Sequence, residues 1–222
     1  MIIVHHLNDS RSQRVLWLLE ELGVPYEVKR YERDPRTRLA PPELRAIHPL
    51  GKSPVITDEG RTVAETGAIV EYLVEQYGNG RLIPPAGTDE RFRYTYWLHF
   101  AEGSAMPPLV MMLLLQRMTK AVPALLRPLA RRMTAKVQDG YINPTIAAQF
   151  DLMQAELGRT PWFAGEEFTA ADVLMSFPVE AAASRTGLGG RPKLTAWLER
   201  IHARGAYKKA LERGGPYAYA GK

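Results

Sequence analysis

Short apolar runs and amphipathic stretches alternate along the first 80 residues. Ile2 to Leu7 is short and rich in apolar side chains, which predicts a buried strand. Apolar positions then recur at helical spacing until Gly23 and Pro25, and Ser10 with Gln13 has the form of a capping box before them. We therefore predict a helix that begins at Ser10 and ends at Gly23. Its apolar face comprises Val15, Leu16, Leu18, Leu19 and Leu22.

Four more short elements follow before residue 80. Tyr26 to Tyr31 predicts a second strand, and Leu44 and Ile47 mark a short helix. Two short strands flank Asp58–Arg61, whose Gly-containing turn predicts a hairpin, and a third helical pattern ends at Gly78. The order strand, helix, strand, helix, hairpin, helix predicts a compact α/β unit.

The remainder of the chain has a helical pattern only. Residues 79–88 have the Gly and Pro content of a linker, and Thr88 is placed to cap the helix that follows. We find no strand pattern beyond it. We therefore predict two domains, an α/β unit over residues 1–80 and an all-helical domain over residues 88–222. The prolines that punctuate these helices are Pro107, Pro123, Pro144 and Pro192.

The composition narrows the chemistry more than the fold. The 222 residues are 45% hydrophobic and 24% charged, which is typical of an ordinary globular protein. Cysteine is absent. Its absence excludes disulfide frameworks, thiolate zinc sites, iron–sulfur clusters, cysteine proteases and any redox enzyme that uses its own thiol.

The net charge of +5 is unevenly distributed. Its densest basic stretch lies between residues 117 and 136, where basic and aliphatic side chains alternate at helical spacing. Such a helix suits nucleic acid or a membrane surface, and it equally suits a solvated face of an ordinary amphipathic helix, which we favour. The apolar run Met106 to Leu115 is too short to span a bilayer, and Met1 to Ser10 lacks the features of a signal peptide. We expect a cytoplasmic protein with neither a membrane nor a nucleic-acid partner.

A proline precedes the predicted hairpin, where a paired strand should begin. Ser53-Pro54 is either a trans proline at the first residue of a strand or a cis-proline loop. A cis bond would bring the backbone of Ser53 next to the start of the first helix, as in thioredoxin-like folds. Such folds normally place a cysteine in that turn, yet here it reads Asn8-Asp9-Ser10-Arg11-Ser12. If the fold is right, the sulfur must come from a ligand.

Four segments together resemble a bacterial cytosolic glutathione S-transferase of the kind that uses serine. They are Ser10–Tyr26, His48–Val55, Glu65–Ile69 and Phe168–Val173, and the resemblance extends over nearly the whole chain. It implies a thioredoxin-like N-terminal domain, an all-helical C-terminal domain and a homodimer. It also implies glutathione as co-substrate, no metal, and a small hydrophobic electrophile or peroxide as the second substrate.

The resemblance assigns the thiol chemistry to the turn before the first helix. Ser10 would donate its hydroxyl proton to the glutathione sulfur and lower a thiol pKa that is about 8.5 in free solution. As a plain helix cap, Ser10 would only accept a backbone N–H. Asn8 and Ser12 remain alternatives for the same role. Arg11 would add positive potential beside the sulfur.

The same resemblance assigns the rest of glutathione. Glu65 would face its ammonium group and Thr66 would bind the γ-glutamyl carboxylate, although both residues also suit a helix start. Lys52 would take the glycyl carboxylate as a point charge. Ser53 and Pro54 would bind the cysteinyl backbone.

The electrophile would lie between the domains. Tyr94, Trp97, His99 and Met106 are candidates for its pocket, with Met111 and Met112 beside them, although such residues at helical spacing also form cores. Asp172 belongs to a capping box that begins at Thr169, and we interpret it as structural. His5 and His6 lack a third metal ligand. The alternative function is a non-catalytic scaffold on the same fold that binds a protein or an RNA.

Overall fold

The computed structural model describes residues 1–37 and 39–220. Its sheet has the strand order β2-β1-β3-β4, in which β1 pairs parallel with β2 and antiparallel with β3, and β3 pairs antiparallel with β4. These pairings put β1 in the interior of the sheet, which explains its nearly continuous apolar sequence. The strands are β1 Ile2–Leu7, β2 Tyr26–Tyr31, β3 Val55–Asp58 and β4 Arg61–Ala64.

Three helices complete this part of the chain, α1 Ser12–Leu22, α2 Glu43–Ile47 and α3 Thr66–Tyr77. Helix α1 ends at Gly23, whose φ of 68° is the left-handed conformation typical of a C-terminal cap. The hairpin turn uses φ values of 47° at Glu59 and 83° at Gly60, as a two-residue turn between twisted strands requires. Both features confirm predictions made from the turn residues.

The predicted capping box at Ser10 does not form. Helix α1 begins at Ser12, and no side chain caps it. The Ser10 hydroxyl accepts a hydrogen bond from the Ser12 N–H instead, two residues away. The side-chain amide of Gln13 is buried without a hydrogen-bond partner in the described part of the chain. The Ser10 turn therefore precedes the helix and leaves Ser10 outside it.

The described residues beyond Ala64 contain helices and connections but no strand. The predicted N-cap is confirmed, because the Thr88 hydroxyl accepts the Arg91 N–H at 3.2 Å. This arrangement bears out the predicted fold class, an α/β sheet unit followed by an all-helical part. The helices are α4 Asp89–Phe100, α5 Met106–Ala121, α6 Arg127–Val137, α7 Asn143–Leu157, α8 Ala170–Thr186, α9 Pro192–Ala203 and α10 Gly205–Gly214.

Pro107 does not interrupt the helix as predicted. A π-helical turn at Ala101–Ala105 joins α4 to α5, and Pro107 lies directly after this turn, at the second residue of α5. The continuous stretch Asp89–Ala121 is long and apolar enough to cross a membrane by length and composition. This stretch packs against α8. Its buried apolar side chains belong to the same hydrophobic core as those of α1 and α8.

Candidate functional site

A cavity of about 400 Å³ opens between the α/β part and the helical part. On one side it is lined by the turn Asp9–Arg11 and by the loop Leu50–Ser53. On the other side α5 and α8 form an apolar wall. That wall consists of Met106, Leu109, Val110, Leu113, Phe177 and Ala181.

A narrow cleft continues from this cavity along the sheet. The two share Arg11, Leu50, Lys52 and Ser53, and the cleft extends to the start of α3. The cleft also includes His48, Pro54, Ala64, Glu65 and Thr66. All seven residues predicted from the resemblance to contact glutathione therefore line one continuous groove.

The loop before β3 is held against β1 by Ser53. Its peptide bond to Pro54 is cis, the second of the two alternatives left open by the sequence. The Ser53 hydroxyl accepts the Leu7 N–H at 3.3 Å and donates to the His5 carbonyl at 2.9 Å. The loop is thus fixed at the carboxyl end of β1, where it reaches the Ser10 turn.

Of the three residues proposed for thiol activation, only Ser10 lines the cavity. Its hydroxyl lies 2.7 Å from the Ser12 hydroxyl and 3.4 Å from that of Ser53. Ser12 is fully buried behind it, and the side-chain carbonyl of Asn8 accepts the Arg33 N–H at 3.1 Å. The geometry therefore favours Ser10 over its two neighbours.

A buried histidine stands behind the two serines. The Ser12 hydroxyl lies 2.8 Å from His6 Nδ1. Burial, with the charge of Arg30, lowers the pKa of His6 to about 4. The imidazole is therefore neutral at pH 7, and one of its ring nitrogens is a hydrogen-bond acceptor.

Arg11 enters the groove as half of an ion-pair network. Glu102, in the π-helical turn, accepts from Arg11 at 2.6 Å and from Arg14 at 2.5 Å. Arg14 is buried and also donates to the Leu174 carbonyl at 2.6 Å. Burial alone would raise the pKa of Glu102, but the two guanidinium groups outweigh it and lower that pKa. The single carboxylate is shared by two guanidinium groups, so the network of Arg11, Arg14 and Glu102 keeps a net positive charge.

The start of α3 presents unpaired backbone N–H groups to the cleft. Thr66 is the first helical residue, and Glu65 before it has a φ of 70° and makes no side-chain cap. Helix N-termini bind anions because their first N–H groups lack partners within the helix. A carboxylate of a ligand could occupy this position.

Three of the four residues predicted for the electrophile pocket do not line this cavity. Tyr94 and Trp97 are buried in the core, where the Trp97 ring packs against Phe163 at 4.6 Å between centroids. His99 is exposed on α4 outside the cavity. Only Met106 lines it. The neighbouring candidates Met111 and Met112 do not.

Tyr94, Trp97 and His99 all lie on α4, which packs against α8, whereas the wall of the cavity is formed by α5 and α8. Helical spacing of apolar and aromatic residues does not show whether they face the core or a pocket. The sequence did contain a pattern for the apolar wall of the cavity. Leu109 and Leu113, in the run Met106–Leu115, are four residues apart and therefore lie on one face of the helix. Sequence reasoning missed Phe177 and Arg185, because α8 is buried over most of its length and shows no periodicity. It also missed Tyr219, which lies in the segment after α10.

The other candidates have structural roles. The Asp172 carboxylate completes the capping box of α8 with Thr169, as predicted, and also accepts the Trp197 indole N–H at 2.9 Å. His5 Nδ1 lies 2.9 Å from the Tyr31 hydroxyl. Within residues 1–37 and 39–220, no group of three acidic or histidine side chains is arranged to hold a metal.

Two family models match the chain. One is described as "Glutathione S-transferase, N-terminal domain" and matches residues 10–76. The other is described as "Glutathione S-transferase, C-terminal domain" and matches residues 116–205. The first match contains the Ser10 turn, the Ser53 loop and the start of α3.

Individual proteins are similar to the chain from end to end. Glutathione S-transferase 3 of Schizosaccharomyces pombe is 38% identical over 216 residues, covering 96% of this chain and 88% of that protein. Glutathione S-transferase 1 of Saccharomyces cerevisiae is 32% identical, covering 96% and 95%. A glutathione S-transferase crystal structure from Actinobacillus pleuropneumoniae has a TM-score of 0.81 and 32% identity, covering 99% and 96%.

Proposed function

The chain belongs to the glutathione S-transferase family, and we propose that Ser10 is the residue with which it ionises the glutathione thiol. As a glutathione transferase, it joins the sulfur of glutathione to an electrophile. The supporting observation is the position of the Ser10 hydroxyl, which lines the cavity beside the Ser53 loop and just before α1. Asn8 and Ser12 do not line that cavity.

Ser10 acts by hydrogen bonding to the charged form of the thiol. A hydroxyl that donates to a sulfur anion favours the thiolate over the thiol and lowers the thiol pKa. Each unit of that lowering corresponds to about 1.4 kcal/mol of preference for the thiolate. The amino end of α1, which follows immediately, adds the favourable potential of the helix dipole.

The narrow cleft orients the rest of the tripeptide. We place the γ-glutamyl carboxylate at the Thr66 backbone and hydroxyl, with Glu65 facing the ammonium group. The cysteinyl backbone pairs with the main chain at Ser53, before Pro54. Lys52, which is exposed and forms no ion pair in the described part of the chain, takes the glycyl carboxylate. Binding of the ends holds the sulfur at Ser10.

The apolar wall of α5 and α8 receives the electrophile. It faces the Ser10 turn across the cavity, so a small hydrophobic molecule there would have its reactive atom near the sulfur. Residues 1–80 would then supply the glutathione site and residues 88–222 the electrophile pocket. We place the protein in the cytoplasm as a homodimer with a role in detoxification.

The test compares Ser10→Ala with Ser12→Ala. Glutathione is titrated by calorimetry, and the ultraviolet absorbance of the bound thiolate is followed against pH. We expect both variants to bind glutathione. Ser10→Ala should raise the pKa of the bound thiol by about one unit or more, which corresponds to the loss of a hydrogen bond to a charged group.

Ser12→Ala is the matched control, because it removes an equal hydroxyl two residues away that does not line the cavity. It should alter the thiol pKa less than Ser10→Ala does. If Ser10→Ala leaves the thiol pKa unchanged, the assignment of Ser10 is wrong. If the wild-type protein binds no glutathione, the proposed site is wrong as a whole.

A further inference from the structure

The cavity has an excess of positive charge. Five basic side chains line it, and Asp9 is the one acidic residue among the described lining residues. The Asp9 carboxylate already accepts the Ala218 N–H at 3.1 Å. The basic side chains are Arg11, Arg33, Arg45, Lys52 and Arg185.

Four of the five lie on the α/β side of the cavity. Arg11 is paired with Glu102, and Arg33 donates to the backbone carbonyls of Asn8 and Asp9. Lys52 and Arg45 lie on the same side as the cleft in which we place glutathione. Lys52 takes the glycyl carboxylate of that tripeptide in the proposed function, so this side of the cavity already has an anionic ligand.

Arg185 lies on α8, on the opposite side of the cavity, and none of the proposed glutathione contacts involves it. Its guanidinium donates to the Ala181 carbonyl at 2.6 Å and to the Tyr219 hydroxyl at 3.1 Å, and lies 5.3 Å from the centre of the Tyr219 ring. Both bonds are to uncharged oxygens. Within residues 1–37 and 39–220, no carboxylate lies at ion-pair distance from it.

We propose that the electrophile of this transferase is an apolar molecule with a carboxylate, and that Arg185 binds the carboxylate. This proposal rests on the proposed function. Arg185 is half-buried beside Phe177 and Ala181, so one ligand can place its hydrocarbon on the wall and its anion on the guanidinium. Bonds from arginine to tyrosine and to a backbone carbonyl fix its plane, which favours the two-point binding of a carboxylate.

The charge of Arg185 also offsets a repulsion. A glutathione thiolate and a carboxylate on the electrophile are both negative and would meet in one small cavity. In that partly desolvated space a positive charge on the helical wall stabilises the anionic substrate more than it would in water. A neutral electrophile has no carboxylate for the guanidinium to bind.

The experiment uses two electrophiles that share one reacting carbon, 4-chloro-3-nitrobenzoate and its methyl ester. In both, the glutathione sulfur attacks the chlorine-bearing carbon, the C–S bond forms, the C–Cl bond breaks and chloride leaves with the bonding electrons. The value of kcat/KM for each is divided by its uncatalysed rate, because the ester is intrinsically more reactive. The acid-to-ester ratio of these quotients is the readout.

We expect the wild-type ratio to favour the acid, and Arg185→Gln to lower it by about tenfold or more through the KM of the acid. Tyr219→Phe is the matched control, since it removes one contact of Arg185 but keeps the guanidinium and the aromatic ring. It should retain most of the wild-type ratio. Arg45→Gln removes a positive charge from the other side of the cavity and should also change the ratio less.

Two outcomes would overturn the proposal. The wild-type ratio could show no preference for the acid, or Arg185→Gln could leave it unchanged. The unreactive analogues 3-nitrobenzoate and methyl 3-nitrobenzoate are titrated into the glutathione-saturated protein in parallel. Their affinities make the same comparison without turnover. Failure to bind glutathione would instead contradict the proposed function.

Discussion

Ser10 has a single hydroxyl proton, and two neighbouring hydroxyl oxygens lie within hydrogen-bond distance of it. The Ser53 hydroxyl gives its own proton to the His5 carbonyl, so towards Ser10 it can only accept. The Ser12 hydroxyl can either accept from Ser10 or donate to it. The glutathione thiolate that we propose for the cavity would be a third acceptor and a charged one, and charged acceptors form the stronger hydrogen bonds. In this proposal, ligand binding decides where the Ser10 proton points.

His6 should make the stability of the protein depend on pH. Its pKa is lowered from 6.5 to about 4 in the folded state, so the unfolded chain binds more protons between these values. Protonation then favours unfolding, and stability falls as the pH drops from 6.5 towards 4. The full loss is on the order of 3 kcal/mol. We expect His6→Gln to remove this contribution to the pH dependence of the free energy of unfolding, which urea unfolding at several pH values measures.

The comparison between variant and wild type isolates His6 from other groups. Asp172 acts in the opposite direction, because its raised pKa makes the protein more stable on acidification, and it is present in both proteins. His99→Gln, on the exposed face of α4, is the matched control and should follow the wild type. Parallel pH profiles for His6→Gln and the wild type would show that His6 does not carry the effect.

Helix α8 illustrates how one short motif organises several elements. The Asp172 carboxylate accepts the Thr169 N–H at 3.1 Å within the capping box and the Phe163 N–H at 3.1 Å from the preceding loop. It also accepts the indole N–H of Trp197 on α9. Burial raises the pKa of Asp172 to about 6 although all these donors favour the carboxylate. The aspartate thus joins α8, α9 and the loop between α7 and α8.

Asp172→Ala should destabilise the protein strongly. It leaves three N–H donors without their acceptor in the interior, at a cost of about 3 kcal/mol or more. For a chain of this length we expect the thermal midpoint to fall by roughly 10 °C in differential scanning calorimetry. Asp172→Asn keeps one acceptor oxygen and should lose less.

Asp151→Ala is the matched control for that loss. Asp151 is 70% exposed and pairs with Arg191 at the surface, where an ion pair contributes about 1 kcal/mol at most. Its thermal midpoint should stay close to that of the wild type. Equal midpoints for Asp172→Ala and Asp151→Ala would show that the buried carboxylate does not hold these elements together.

Elements with local signals could be predicted from the sequence. Strand β1, the end of α1 at Gly23, the turn at Glu59 and the capping box at Thr169 each depend on neighbouring residues. The residues that we propose as glutathione contacts could be named because the resemblance covers short motifs, and they line one groove. Partners far apart in the sequence could not be predicted. Glu102 lies 91 residues from Arg11, and nothing near either residue indicates the other.

The two halves of the molecule differ in charge as well as in structure. Residues 1–80 carry 10 basic and 12 acidic side chains, whereas residues 81–222 carry 19 and 12. The basic surplus of the helical half includes Arg117, Lys120, Arg127, Arg131, Arg132 and Lys136. Two copies that pair the helical half of one with the α/β half of the other would bring opposite net charges together.

The α5–α6 hairpin exposes apolar side chains on one side. Thr119 and Thr134 hydroxyls lie 3.3 Å apart and mark the line along which these antiparallel helices touch. Met118 and Met133 each precede a contact threonine by one residue, which is about 100° around the helix. Because the two helices are antiparallel, these two rotations place both methionines on the same side of the helix pair. Leu129 extends that surface, and all three side chains are at least 59% exposed. Val110, which lines the cavity, lies elsewhere on α5.

We expect a second copy of the chain to cover this surface, since proteins of this family commonly dimerise and large exposed apolar patches mark interfaces. Sedimentation velocity should find the wild type at twice its chain mass of 24.9 kDa. Met118→Asp and Leu129→Asp would bury carboxylates in an apolar contact and should weaken the dimer by about tenfold or more. Leu152→Asp, the same change on exposed α7, should leave it intact. Glutathione binding checks that each variant is folded. If neither Met118→Asp nor Leu129→Asp weakens the dimer, the contact between the copies lies elsewhere on the protein.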